Sequence, residues 1–314
     1  MRIYIYPLFL LFFLCSGNFN EVKAQKPETD TELQEALVEL AKDFKGTVGI
    51  YVYHLATNRE AGINADSVFP TASVVKVPIL TTVFEKIEKG DYKYNEPLLY
   101  REDRTYGGSG LMQFFKDSTN TDLRTALALM IGYSDNTTAL WSQELAGGGK
   151  EINNYMASLG LEHTRVNSRT EGREKIWEKF GWGQTTPREM ASLLVKMRNG
   201  ELSSKAASEE MYRLMTNSFY TDYALSQIPP YIQSASKQGM VNDSRSELVM
   251  VNAAGGDYVF YFTTKDNEDQ SWNYNNEGWK LSREISAYLW NYFEPDSDWK
   301  PAVGTEELTT GMPY

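Results

Sequence analysis

Two hydrophobic periods divide this chain, and their order limits what it can fold into. Leu33, Leu37, Leu40, Ala41 and Phe44 recur at helical spacing, with Asp30 or Thr31 as cap and Gly46 as stop. Thr47 to His54 is then a β-rich run, and after a turn at Asn58 a second short strand ends near Ile63. From about Thr71 to Leu225 the spacing is mainly helical. Leu123, Leu127, Met130 and Ile131 form one apolar face; Ile152, Tyr155, Met156 and Leu159 form another, closed by Gly160. Thr186-Pro187-Arg188-Glu189 reads as a capping box with proline at the first helical position, ahead of Met190, Leu193, Leu194 and Met197. Strand signals return at Tyr231 to Lys237, Leu248 to Asn252 and Tyr258 to Thr264, the last two joined through Gly255-Gly256. A final helix carries Leu281, Ile285, Leu289 and Tyr292 and stops at Pro295.

Strands at both ends with helices between them predict an α/β (α+β) fold: a five-stranded antiparallel sheet built from both termini. The terminal helices would cover one face and the helical insertion the other. The expected division is 25–70 plus 226–294 for the α/β lobe, 71–225 for the helical lobe, and a loose tail over 295–314. A pocket at the seam of the lobes is the default site. Arg165 to Thr185 has no clear periodicity. A loop that long inside a compact domain is usually functional or disordered.

Composition removes several function classes. The chain has 314 residues, 41% hydrophobic and 23% charged, and a formal net charge of -11. Such a balance makes a nucleic-acid backbone an unsuitable partner. The apolar run Tyr4 to Cys15 follows Arg2 and is too short to span a bilayer comfortably. With Val22-Lys23-Ala24 after it, residues 1–24 read as a secretory signal peptide cut before Gln25. The expectation is a periplasmic or secreted monomer with no membrane span. Lipid attachment at Cys15 is the rival, but Leu14 before it is bulky for that. Cys15 is the one cysteine and leaves with the leader, so no disulfide and no thiol nucleophile remain. His54 and His163 are too few for a zinc hydrolase, and neither a metal nor a cofactor is implied. A Ser-His-Asp triad would have no Gly-x-Ser-x-Gly elbow to support it.

Ser73-Val74-Val75-Lys76 is a Ser-x-x-Lys. Where it opens a helix, serine and lysine lie one turn apart on one face. An unprotonated lysine there can take the serine proton, and burial lowers its pKa for that task. The helix N-terminus adds a positive dipole for an oxyanion. Two more copies exist, at Ser234 and Ser297, but the first lies in a strand, where an i, i+3 pair points to opposite faces, and the second in the tail. Ser134-Asp135-Asn136 follows the apolar helix; it can relay a proton and hold a carbonyl, although alone it is ordinary cap chemistry. Lys237-Gln238-Gly239 closes a predicted strand and offers a cation, with the Met240 N–H as an oxyanion donor. Arg245 can add a carboxylate clamp, and Glu171 in the aperiodic segment can act as a base toward water. Each of these, taken singly, also fits a plain surface residue.

Their order is what carries weight. Ser-x-x-Lys, Ser-Asp-Asn, a loop glutamate and Lys-x-Gly on a strand resemble the class A serine β-lactamases and, more loosely, the penicillin-binding proteins. The likeness runs from about Leu33 to Phe293 and takes in Gly108-Ser109-Gly110-Leu111, Thr185-Thr186-Pro187 and Ser244-Arg245. It implies a small-molecule β-lactam substrate. Ser73 would be the acylated nucleophile and Lys76 its proton partner. Ser134 would pass a proton to the leaving nitrogen, Asn136 would hold the substrate amide and the lysine, and Glu171 would activate the deacylating water. Lys237 and Arg245 would bind the carboxylate, and the N–H groups of Ser73 and Met240 would form the oxyanion hole.

Three positions depart from the family. Gln238 stands where it has Ser or Thr, Lys175 where it has a water-holding Asn, and Gln184 where an Asp pairs with the loop arginine. The loop from Arg169 to Gln184 would then be held differently, by Trp177, Phe180 and Trp182 packing inward. These departures bear on deacylation and carboxylate recognition. They leave open a related hydrolase of D-Ala-D-Ala-type peptides or esters, and a non-hydrolysing penicillin-binding or sensor module.

Overall fold

The computed structural model describes residues 26–304. The leader and the last ten residues of the expected tail lie outside them. In chain order the first elements are β1 (Glu28–Thr29), α1 (Thr31–Ala41), β2 (Thr47–His54), β3 (Arg59–Ile63) and β4 (Phe69–Pro70). A 3-10 turn over Ala72–Val75 runs directly into α2 (Lys76–Glu88), followed by β5 (Pro97–Leu99) and β6 (Asn120–Asp122). Next come α3 (Leu123–Gly132), α4 (Asn136–Leu145), α5 (Gly148–Ser158), β7 (Arg165–Val166), α6 (Glu174–Phe180) and β8 (Gly183–Thr185). The chain continues through α7 (Pro187–Arg198), α8 (Lys205–Met215), β9 (Ser234–Val241), β10 (Ser244–Val251), β11 (Tyr258–Lys265) and α9 (Glu277–Phe293).

The main sheet has the order β1-β3-β2-β11-β10-β9. Five of its strands are antiparallel, as predicted; the sixth, β1, is a two-residue addition paired parallel to β3. The two termini meet at its centre, where Val52 on β2 faces Phe260 on β11. Successive strand residues point to opposite faces. Ile50, Val52, Val249, Val251, Phe260 and Phe262 therefore pack against Leu33 and Leu37 of α1 and Leu281, Ile285 and Leu289 of α9. Tyr51, Leu248, Met250, Val259 and Tyr261 pack on the other face, against α2, α3, α7 and α8. With both faces covered, all eight residues of β10 are buried.

Local chemistry fixes the ends. Asp30 caps α1 by accepting from the Leu33 N–H. Thr186 caps α7 by accepting from the Glu189 N–H, which is half of the predicted box. The other half is redirected: the Glu189 carboxylate accepts from the N–H groups of His163 and Thr164.

Two expectations change. The strand expected over Tyr231 to Lys237 begins at Ser234 and runs through Gly239 to Val241. Its buried Lys237 and Gln238 imitate a polar strand end because polar partners, not solvent, receive them. The segment Arg165 to Thr185 is not a bare loop; it holds β7, α6 and β8. Helix α6 buries no residue, so it leaves no apolar period in the sequence. Strands β4, β8 and β7 form a small sheet that pairs Phe69 with Thr185. This fastens the end of the segment beside the turn that carries Ser73. Among the described residues no helix is long and apolar enough to cross a membrane.

Candidate active site

Ser73 lies in the 3-10 turn rather than in the α-helix, and Lys76 is the first residue of α2. The turn keeps the expected spacing: Lys76 Nζ is 2.9 Å from Ser73 Oγ. Lys76 is fully buried. Its Nζ also donates to Ser134 O (2.6 Å), Ser134 Oγ (3.0 Å) and Asn136 Oδ1 (2.9 Å). Burial lowers its pKa to about 7, against the opposing charge of Asp135.

The Ser-Asp-Asn turn is a helix cap, as one reading has it, and its flanking residues also meet Lys76. Asp135 caps α4 by accepting from the Thr138 N–H at 2.8 Å, and its other oxygen accepts from the Met112 N–H at 2.7 Å. That leaves the flanking side chains to face the lysine. Ser134 has φ 52, in the left-handed region, and this bend turns both its hydroxyl and its carbonyl toward Lys76. Asn136 is fixed from behind by Nδ2 donating to Gly107 O at 3.1 Å.

Lys237 reaches the same hydroxyl from β9, donating to Ser134 Oγ at 2.9 Å. It donates also to the carbonyl (2.9 Å) and to the side-chain Oε1 (3.0 Å) of Gln238. Burial, and then the neighbouring Lys76, hold the Lys237 ammonium well below its usual range. Gly239 lets edge strand β9 lie against the Ser73 turn: a Cβ there would come within 2.8 Å of the Ser73 N. Ser73, Ser134, Asn136, Gln238, Gly239 and Met240 share the walls of a cleft of about 250 Å³.

Two predicted residues stand elsewhere. Glu171 is exposed, forms no hydrogen bond among the described residues and does not line the cleft. Arg245 is buried on β10 with its guanidinium taken up by the backbone, donating to the carbonyls of Val241, Asn242, Ser244 and Ser271. The ring of Trp272 covers it at 5.3 Å, and it is Trp272 that lines the cleft.

The loop is held by different contacts from those expected. Arg173, not Arg169, reaches Gln184, with Nη2 donating to Oε1 at 3.0 Å and Nε to Asn167 Oδ1 at 2.8 Å. Of the three aromatics, Trp177 is 48% exposed and Phe180 half-exposed, so only Trp182 packs onto the core. Sequence reasoning gave no part to Tyr220 and Trp272 on the cleft walls. Tyr220 bonds Ser109 at 2.9 Å, and the adjacent Phe219-Tyr220 pair before a polar stretch is a signal that was available. Trp272 stands in a polar loop with no period around it.

The arrangement brings a hydroxyl, a buried amine, a second hydroxyl and a second buried amine to one point. Such a set has the groups that a proton transfer from the Ser73 hydroxyl requires. Among the described residues no cluster of His, Cys, Asp or Glu is arranged to hold a metal ion.

The chain belongs to the beta-lactamase enzyme family, which matches over residues 32–293. It is 22% identical over 261 residues to the beta-lactamase VEB-1 of Pseudomonas aeruginosa, covering 78% of this chain and 85% of that protein. It is 28% identical over 214 residues to a beta-lactamase of Bacteroides uniformis, covering 66% and 69%. Among solved structures, PBP-A superimposes with a TM-score of 0.76 at 26% identity, over 87% of this chain and all of that one. A variant of PBP-A, solved as its acyl-enzyme complex with penicillin-G, matches equally well at 25% identity.

Proposed function

We propose that this protein opens β-lactam rings through an acyl-enzyme on Ser73 and releases the product by hydrolysis. One observation carries the reading: a fully buried Lys76 amine, near neutral pKa, 2.9 Å from the Ser73 hydroxyl. Ser73 Oγ attacks the lactam carbonyl carbon as its proton passes to Lys76. Ser134, in contact with both lysines, relays that proton: its hydroxyl protonates the ring nitrogen as the C–N bond breaks and takes a proton from Lys76, which is left neutral again. Lys237 and the Gln238 amide, the latter on the cleft wall, would take the substrate carboxylate. The Ser73 and Met240 N–H groups receive the oxyanion. The cleft would lie at the seam of a 71–225 helical lobe and a 25–70 plus 226–294 α/β lobe. Cleavage of the leader before Gln25 would deliver the enzyme to the periplasm or the medium. Nitrocefin should be turned over many times per protein, and Ser73→Ala should abolish both turnover and the covalent adduct. A single burst without steady state would reject the hydrolytic half of the reading.

The exposed position of Glu171 favours a second reading, a penicillin-binding protein with a long-lived adduct. Glu171→Gln separates the two by intact mass. A Glu171-dependent hydrolase accumulates acylated protein when the carboxylate is lost; a slow-releasing binder shows the same adduct lifetime with or without it.

A further inference from the structure

The residue that approaches the catalytic pair from the Arg165–Thr185 segment is an indole rather than a carboxylate. The Trp182 ring centroid lies 5.9 Å from Lys76 Nζ. Its backbone is fixed on both sides. The Trp182 carbonyl accepts from the N–H groups of Asn167 (2.8 Å) and Ser168 (3.1 Å). The next residue, Gly183, accepts from the Thr71 N–H at 3.0 Å and packs so closely on the Ser73 turn that a Cβ would meet Val75 Cγ2 at 2.5 Å. The ring is fixed too. Tyr106 meets it edge-on, with centroids 5.3 Å apart. Tyr106 is anchored through its backbone to Thr137 Oγ1, one residue beyond Asn136. Trp182 therefore bridges the segment and the opposite wall across the lysine. An aromatic face attracts an ammonium but offers water no strong hydrogen-bond acceptor.

We infer that Trp182 is a positioning residue that withholds hydrolytic water from the Lys76 side of the acyl-enzyme and so sets how long the adduct lives. This rests on the acyl-enzyme reading above. Release needs one water from solvent. Its oxygen bonds to the ester carbonyl carbon while its proton passes to Lys76 Nζ, the base already in contact with Ser73 Oγ. The tetrahedral intermediate then collapses, the bond from carbon to Ser73 Oγ breaks, and Lys76 returns the proton to that oxygen. Nothing in these steps uses Glu171. A water held on the indole side would have to displace the ring.

The test separates the two half-reactions. Full-length mature protein, Trp182→Ala and Trp182→Phe are each acylated with penicillin-G. Adduct formation and decay are followed separately by intact mass across pH 6–9. Trp182→Ala should shorten the adduct lifetime by about tenfold, well inside what a positioned water and base are worth, with acylation changed by no more than about twofold. Trp182→Phe keeps a ring and a packed core, and should shorten the lifetime by about threefold. The same shortening should appear when Glu171→Gln is added. An unchanged or longer lifetime in both variants overturns the assignment, as does an equal loss in acylation and release, which marks a merely structural residue. No adduct in the unsubstituted protein overturns the acyl-enzyme reading itself and removes the Trp182 role with it.

Discussion

Ser134 shows how much one residue carries here. It accepts from Lys76 through its hydroxyl and its carbonyl, and from Lys237 through the same hydroxyl. Its backbone is held at φ 52, a conformation that a non-glycine residue maintains only when its surroundings impose it. Backbone and side chain can therefore be separated experimentally. Ser134→Gly relieves the backbone and deletes the hydroxyl, so its melting temperature should equal or exceed the parent's while acylation falls by about 10²-fold or more. Parallel loss of both would mean that the hydroxyl holds the fold and not the reaction. Lys76 gives a second residue-scale prediction. Its amine is a base when unprotonated, so the acylation rate should rise with pH through a midpoint near 7, where burial has placed the group. A stopped-flow acylation profile that is flat from pH 6 to 9 would remove Lys76 as the proton acceptor.

At the scale of elements, the β9–β10 hairpin and the 165–185 segment explain what the sequence makes legible. The Ser73 turn, the Ser134 turn and β9 converge as the motif order implied, because each motif sits at the end of a strongly patterned element. The α3 face Leu123, Leu127, Met130 and Ile131 is buried as its spacing indicates. The 165–185 segment is different. Its contacts are polar and irregularly spaced: Arg173 to Asn167 and Gln184, and Gln143 with Ser168. Such contacts leave no periodic trace, so the part of Arg173 and the outward turn of Glu171 are not legible in the sequence, whereas the inward packing expected of the three aromatics holds for Trp182. Arg245 has contacts that the sequence does not display for a related reason. An arginine beside a polar strand end reads as a carboxylate ligand, and in the structure its guanidinium joins the hairpin turn to the Ser271 carbonyl. Arg245→Ala should therefore destabilise the protein by about 1–3 kcal/mol, since the buried Ser244 carbonyl loses its side-chain donor and the hairpin turn and the Ser271 carbonyl lose the group that joins them. Urea denaturation decides the matter. A variant of parental stability with a raised KM would return Arg245 to the role of substrate clamp.

Across the whole molecule, two buried ionisable groups on opposite sides of the sheet junction pull stability in opposite directions with pH. Glu247 on β10 accepts from the Ala224 N–H at 2.7 Å and from Ser236 Oγ at 3.1 Å, yet burial pushes its carboxyl from 4.5 up to about 7. Between those values the folded chain keeps a proton that the unfolded chain has released. Stability is then fully present below about 4.5 and is lost as pH rises toward 7, by at most about 3 kcal/mol. Lys76 has the opposite sign. Its amine falls from 10.5 to about 7 on folding, so between those values the unfolded chain binds the extra proton and stability rises with pH. Lys237, held well below its usual range, adds to that rise. The two effects meet near neutrality, where the folded state is stabilised least by either group. Difference melting curves isolate them from the many surface carboxylates. Relative to the parent, Glu247→Gln should gain stability steadily from pH 4.5 to 7 and level off above. Lys76→Met should lose ground relative to the parent only above pH 7, where the parent improves and the variant does not. A Glu247→Gln difference that stays constant across the acid range would mean that this carboxylate is ionised in the folded protein, and that the Ala224 and Ser236 contacts outweigh its burial.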